Sequence, residues 1–216
     1  MSPTEPFVFL GCLELNELLP QEAHDARELL EQVAHVPIES IFCHTSAALL
    51  HRPVLAEAYP NDFSLWVGSE VRDVRLAGVD AFHAGSMERV REDIIATISD
   101  HLQHLGAAAA RTQGKRFRFF QVHLVPVPTG HQARTLVEFR DALAEVDVSA
   151  LFYHTIAARY RAGRGRGDFA EWVGGALGLP DLADRLAHID PHAGSLERIR
   201  DRHLSVLSDA ISGEGA

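Results

Sequence analysis

The chain has few of the residues that build disulfide frameworks or zinc sites. Its 216 residues include only two cysteines, Cys12 and Cys43, which are far apart in the sequence. Neither belongs to a CxxC pair, and two sulfurs are too few for a zinc cage. We therefore expect two free thiols that pack as small apolar groups, since a disulfide is not called for in a cytoplasmic protein.

Long apolar runs are also missing. No run approaches the roughly 20 residues that a membrane span needs, and the first residues, "MSPTEPFVFLGCLELNELL", lack the basic flank and the cleavage site of a signal peptide. We expect a cytoplasmic protein without a membrane partner. With 46% hydrophobic and 23% charged residues, its composition is typical of a globular protein with a buried core.

Positive charge is scarce in the first half. Residues 1–110 contain six arginines against 17 acidic residues, whereas residues 111–216 contain 14 basic against 13 acidic residues. Because such an acidic half repels phosphates, nucleic acid is not an expected partner. One basic loop, "RYRAGRGRGD", contains Arg164 and Arg166 as candidate ligands of a small anion or an acidic protein surface. The alternative interpretation is a solvated loop that balances the acidic half.

Several short segments occur twice in the same order. "HAGSMERVR" (83–91) returns as "HAGSLERIR" (192–200), "FCHT" (42–45) as "FYHT" (152–155), and "NDFSLWVG" (61–68) as "GDFAEWVG" (167–174). The phenylalanines at 7 and 9 match those at 117 and 119. A conserved order of matches indicates tandem duplication. We predict one repeat over residues 6–105, a linker over 106–115 and a second repeat over 116–212.

The dominant period within each predicted repeat is helical. Apolar residues after the first "HAGS" recur every three or four positions, which predicts a helix of about 18 residues with one apolar face; they are Met87, Val90, Ile94, Ile98 and Leu102. Ser86 and Ser195 occupy the expected N-cap positions. Only "FVFLGCL" and "FRFFQVHLV" alternate as strands do. These patterns predict a mainly α fold, with about five helices and one short leading β-strand per repeat.

The repeated histidines are the first candidates for a functional site. His44 and His154 each precede threonine on a predicted helix, and Asp62 and Asp168 are their acidic counterparts. A His and Asp pair in each repeat suits a metal or an oriented imidazole, but a buried hydrogen-bonded histidine and a helix N-cap explain the same residues. Trp66 and Trp172 complete the candidate ligand-binding set, although core packing accounts for both rings.

The known catalytic patterns are absent. The sequence contains no HExxH, GxSxG, GxxxxGK[ST] or strand-led GxGxxG motif. We therefore expect a non-catalytic binding or scaffolding module whose partner is another protein. The alternative is a metal or small-anion site, including a hydrolase-like enzyme, formed by the paired His and Asp residues where the two repeats meet. No cofactor and no oligomeric state follow from the sequence.

A family resemblance agrees with this expectation. The order FxF, aromatic-x-HT, NDFxxWV, LAxxID and SLExxR resembles a prokaryotic family known as a domain of unknown function, and it covers most of the chain. Members of that family often have a second histidine two positions after the repeated one, where this sequence has Ser46 and Ile156. The resemblance implies no activity, substrate or cofactor.

Overall fold

The computed structural model describes residues 5–51, 61–71, 86–105, 114–162, 166–190 and 194–214. His83, His192, Arg164 and most of the predicted linker lie outside these ranges. The chain forms two compact units: a central unit, Glu14–His123, and a discontinuous unit, Met1–Leu13 with Leu124–Ala216. The repeat boundaries at residues 6–105 and 116–212 stay a prediction.

Two long strands pair into one sheet. Strand β1 spans Phe7–Ala23 and strand β2 spans Phe117–Ala133. The hydroxyl of Thr129 donates to the Phe9 carbonyl oxygen, and the amide of Gln121 donates to the Glu17 carboxylate. Because the partner number on β2 falls as the number on β1 rises, the strands are antiparallel. Residues of both strands belong to both units.

The predicted mainly α fold with short leading strands is wrong. Each strand has 17 residues, and the paired strands make this an α/β fold instead of a set of five-helix repeats. Alternation predicted only the first part of each strand, because Pro20, Pro126 and Pro128 interrupt the rest. In a two-stranded sheet every strand has an outer edge, where a residue without an N–H group is tolerated.

The helices of the central unit follow β1. Among the described residues they are α1 (Ala26–His35), α2 (Ile38–Phe42), α3 (Ala48–His51), α4 (Asp62–Trp66) and α5 (Met87–Leu105). A π-helical segment, Cys43–Ala47, joins α2 to α3, and another, Val67–Val71, follows α4. The apolar face predicted for α5 is confirmed, since Val90, Ile94 and Ile98 are buried. They pack with Leu29 and Val33 of α1 and with the phenylalanines of β2.

The helices of the discontinuous unit follow β2. Those that the structure describes are α6 (Leu136–Glu145), α7 (Val148–Phe152), α8 (Ala158–Ala162), α9 (Gly167–Gly175), α10 (Pro180–Ala187) and α11 (Leu196–Glu214). A π-helical segment, Tyr153–Ala157, joins α7 to α8. The N-cap role of Ser195 is confirmed, because its hydroxyl accepts a hydrogen bond from the Arg198 amide, as that of Ser86 does from Arg89 at α5. Within the described ranges, no helix is long and apolar enough to cross a membrane.

Gly167 occupies a position that other residues fill poorly. Its φ angle is +74°, and an added Cβ would lie 3.3 Å from the carbonyl oxygen of His154. We expect Gly167→Ala to lower the free energy of unfolding by about 1 to 2 kcal/mol, because both the backbone and the close contact oppose a side chain. Gly175→Ala is the matched control, since a Cβ added there would meet no atom within 4 Å. Urea unfolding of both variants measures the difference, and equal stabilities would contradict the expectation.

Candidate functional site

The imidazole of His44 bridges a helix and a strand within the central unit. Its Nδ1 lies 2.9 Å from Oδ2 of Asp62 at the start of α4. Its Nε2 accepts a hydrogen bond of 2.9 Å from the backbone N–H of Phe120 on β2. The ring itself is buried among Phe63, Phe117 and Phe119. Both ring nitrogens are therefore engaged.

His154 repeats this geometry within the discontinuous unit. Its Nδ1 lies 2.8 Å from Oδ2 of Asp168, and its Nε2 accepts a hydrogen bond of 2.8 Å from the backbone N–H of Leu10 on β1. The ring packs between Phe7 and Phe169. In each unit, the strand that meets the histidine comes from the other half of the chain, because β1 opens the first half and β2 the second.

These contacts determine the protonation of the two rings. A backbone N–H only donates, so Nε2 has to offer its lone pair, and the single ring proton then sits on Nδ1 and points to the aspartate. Burial lowers the pKa of His154, although the hydrogen bond to Asp168 opposes this effect. A neutral imidazole with both nitrogens occupied holds the strand amide and the aspartate in place, and it leaves no lone pair for a metal ion.

The threonine after each histidine also has a local role. The hydroxyl of Thr45 donates to the Ile41 carbonyl at 2.6 Å, and that of Thr155 donates to the Leu151 carbonyl at 2.6 Å. Both threonines lie in the π-helical segments, where the widened turn disturbs the usual backbone ladder. The repeated "HT" therefore combines a strand contact with a contact inside the helix.

The aspartates do not cap their helices. Asn61 is the N-cap of α4, where it forms a capping box with Ser64, and Asp62 follows as the first helical residue. At α9 the N-cap position belongs to Arg166, and Asp168 lies in the first turn. The N-cap interpretation of Asp62 and Asp168 is therefore wrong, since both aspartates point their carboxylates at a histidine.

The tryptophans combine packing with one hydrogen bond each. Trp66 is buried against Phe117, and its Nε1–H donates to the Lys115 carbonyl at 2.7 Å. Trp172 stacks on Phe139, and its Nε1–H donates to the Glu5 carbonyl at 2.9 Å. Both indoles therefore contact the aromatic core and the chain next to a strand.

The arginines around the basic loop have partners inside the discontinuous unit. Arg166 pairs with the carboxylate of Asp184, and Arg159 donates to the carbonyls of Ala187 and Ile189. Arg161 donates to Oδ2 of Asp168 at 3.1 Å, and its guanidinium lies over the Tyr153 ring. Arg164 is outside the described residues, so the small-anion site at this loop stays a prediction.

A cavity of about 150 Å³ opens beside His44 in the central unit. Its lining includes Glu14, Asn16, Cys43 and Asp62. Over the part of the chain that the structure describes, no group of three or more His, Cys, Asp or Glu residues is arranged to hold a metal ion. The carboxylates give this cavity an acidic lining, which suits a cation better than an anion.

The thiol of Cys43 has an unusual environment. Neither cysteine forms a disulfide, as the sequence predicted. Burial, with smaller contributions from the charges of Asp62 and Glu14, raises the pKa of Cys43 to about 12.

We expect Cys43 to react with a thiol reagent at pH 8 at least about 100 times more slowly in the folded protein than in urea, because only the thiolate is reactive. Timed alkylation of a Cys12→Ser variant measures this thiol alone. Similar rates in the two states would contradict the expectation.

Sequence reasoning missed two arginines in the repeated segments. Arg91 donates to the Val36 carbonyl at 2.6 Å, just after α1. Arg200 donates to the Ala144 carbonyl at 3.3 Å in α6. Both are the last residue of the "HAGS" repeat, so its recurrence was the available signal. These contacts attach the closing helix of each unit to the end of an earlier helix.

Comparisons with known proteins give a similar solved structure and a matching family model. The solved structure of OrfY from Thermoproteus tenax is similar over 97% of both chains, with 29% sequence identity and a TM-score of 0.80. No curated protein shows significant similarity. A model described as "Family of unknown function (DUF5752)" matches residues 4–208.

Proposed function

Because the chain belongs to the DUF5752 family, to which no function is assigned, we propose a role from its own geometry: a non-catalytic binding or scaffolding module that engages another protein. The observation that carries this proposal is the complete use of both repeated imidazoles. Each joins an aspartate to a strand amide and keeps no lone pair for a substrate. We infer from this geometry that each histidine holds one strand in position.

The strands offer apolar side chains on which a protein partner can dock. In the discontinuous unit, Leu13 is 62% exposed and Val127 is 37% exposed, and both line one open cavity of about 310 Å³. In the central unit, Leu15 and Leu18 are also exposed on β1. Exposed apolar groups next to each other are typical of protein interaction sites, and a strand held by a buried imidazole presents them at a fixed place.

We also propose that the chain is a tandem duplication, with copies over residues 6–105 and 116–212. We propose the cytoplasm as the place where the protein acts. The support for duplication is the matched geometry. Both strands have 17 residues, α1 and α6 have ten residues each, and α5 and α11 have 19 each. The same hydrogen bonds recur at His44 and His154.

Site-specific photo-crosslinking in cells tests the binding role. A photoreactive residue at position 13 or 127 should cross-link one defined protein, whereas the same residue at Arg202, an exposed position on α11, should not. With the purified partner, Leu13→Ser should weaken binding at least about tenfold, while circular dichroism shows an unchanged fold.

Two outcomes would overturn the proposal. One is an equal cross-linking pattern at positions 13 and 202. The other is a measured catalytic turnover that His44→Gln or His154→Gln abolishes while the protein stays folded. A positioning role predicts that these variants lose stability and that the wild type has no catalytic activity.

A further inference from the structure

The register of the sheet shows which amides of β1 point to its outer edge. Side-chain hydrogen bonds fix this register in the central unit; they join Glu17 to Gln121 and Glu22 to Arg116. Leu18 therefore faces Phe120, whose amide points away from β1 to His44. In an antiparallel pair, facing residues either bond to each other or both point outward. The amide of Leu18 thus points to the outer edge of β1, and by alternation so does that of Asn16.

Prolines occupy the matching positions of β2. In the discontinuous unit the Thr129 hydroxyl contacts the Phe9 carbonyl across the sheet. Leu10 therefore faces Pro128, and its own amide points away from β2. Pro128 and Pro126 thus lie on the outer edge of β2, where they offer no N–H group to a further strand. Prolines at sheet edges protect against unwanted pairing.

The corresponding residues of β1 have their N–H groups. In the repeat register, in which position 7 matches position 117, Asn16 corresponds to Pro126 and Leu18 to Pro128. Both Asn16 and Leu18 are exposed, and within the described ranges no hydrogen bond joins either amide to a helix or a loop. The β1 edge, residues 15–19, therefore offers donors and carbonyl acceptors to a third strand, whereas the same stretch of β2 lacks the donors.

The surface beside the β1 edge favours a basic segment. Glu17 lies between the two outward residues, and its exposed carboxylate accepts a hydrogen bond from Gln121, which carries no charge. Strand β1 contains three glutamates and no lysine or arginine. Leu15 lies on the same face as Glu17 and is also exposed. A strand that is added here therefore has alternate residues next to a leucine and next to a carboxylate.

We propose that the β1 edge binds an extended basic segment of another protein, which adds as a third strand next to Asn16 and Leu18. This inference rests on the proposed protein-binding role and specifies its mode. Main-chain hydrogen bonds give the affinity of such a complex, and alternate side chains give its specificity. A second copy of this chain fits less well, because it would bring another set of β1 glutamates to the same edge.

Titration of the full-length protein with a peptide tests this docking mode. In the probe, acetyl-KTVTKTV-amide, lysine and valine alternate on one face, as Glu17 and Leu15 require. We expect it to shift the amide signals of Asn16 and Leu18 and to slow their hydrogen exchange. The glutamate analogue, acetyl-ETVTETV-amide, should bind at least about ten times more weakly, because its charges oppose those of β1. Equal affinity of the two peptides would contradict a basic partner.

Backbone methylation of the probe separates strand addition from side-chain contacts. An added strand bonds to β1 through alternate residues only. N-methylation of the threonines, or else of the lysines and valines, should therefore abolish binding, while the other methylated peptide retains it. If both methylated peptides bind like the probe, main-chain pairing does not take place and the proposal is wrong.

Leu18→Pro is the matched variant, because its counterpart on β2 is already a proline that the strand accommodates. It removes one outward donor and places a ring against the added strand, so it should weaken probe binding at least about tenfold. Circular dichroism should show an unchanged fold. Leu18→Ala keeps the N–H group and should weaken binding less than about threefold. Equal weakening by the two variants, or none by Leu18→Pro, would overturn the proposal.

Two further outcomes separate this docking mode from the general binding role. If the probe fails to bind while a photoreactive residue at position 13 cross-links one defined protein, strand addition is overturned and the proposed function stands. A dimer in sedimentation experiments that Leu18→Pro dissociates would also overturn the proposal, because a second copy would then be the occupant of the β1 edge.

Discussion

Replacing His154 with alanine should lower the free energy of unfolding by about 3 to 5 kcal/mol. The change leaves a cavity among Phe7, Phe9 and Phe169, and removing a large buried ring in this way is strongly destabilising. It also takes away the acceptor of the Leu10 amide, and the expected total includes the cost of a donor left without its partner, which is about 1 to 3 kcal/mol. Urea unfolding measures the total.

The hydrogen exchange rate of the Leu10 amide separates a strand-positioning role from simple packing. In His154→Ala this amide should lose most of its protection, while amides in α11 exchange at the global rate. His188→Ala is the control, because that histidine is exposed and should change stability by less than about 0.5 kcal/mol. Unchanged protection at Leu10, or a loss below about 1 kcal/mol in His154→Ala, would contradict the strand-anchoring role.

Acidification from pH 7 to pH 4 should lower stability by about 3 kcal/mol through His203 alone. Burial lowers the pKa of this histidine to about 4, and the nearby charge of Arg159 adds to the effect. Between pH 6.5 and pH 4 the unfolded state, in which the pKa of histidine is near 6.5, therefore binds a proton that the folded state does not bind. Stability is full above about pH 6.5 and falls as the pH drops toward 4. The lowered pKa of His154 acts in the same direction.

His203→Ile isolates this contribution. Ile94 is the counterpart of His203 in α5, and it is fully buried, so isoleucine suits the position. The difference in unfolding free energy between the variant and the wild type should grow by about 3 kcal/mol between pH 7 and pH 4. A difference that stays constant over this range would show that His203 titrates normally in the folded protein.

Local patterns predicted one long amphipathic helix and two helix caps, and recurrence drew attention to the His and Asp residues. Apolar spacing located α5, and side-chain chemistry located the caps at Ser86 and Ser195. The recurrence of "HT" and of the aspartates selected the residues that the structure brings together. Recurrence shows that a residue is constrained, and here the constraint is the hydrogen bond to a strand.

The features that the sequence did not reveal depend on distant contacts. Strand β2 continues through Pro126 and Pro128 because, within the described ranges, it pairs with β1 alone, and no local pattern reports how many strands a sheet has. The partner of His154 is the Leu10 amide, 144 positions away. Every residue type except proline has a backbone N–H, so the sequence does not show which amide donates to an imidazole. The role of the two histidines as acceptors of strand amides could therefore not be predicted. The π-helical segments likewise have no apolar period of their own.

The most direct test of the account is the scalar coupling across the hydrogen bonds to the two imidazoles. In ¹⁵N-labelled protein at pH 7, we predict a measurable coupling between the Phe120 amide nitrogen and Nε2 of His44. The same coupling should join Leu10 and His154, with the ring proton of each histidine on Nδ1. An Nε2 that is protonated, or that shows no coupling to the strand amide, would contradict the claim that these histidines hold the strands.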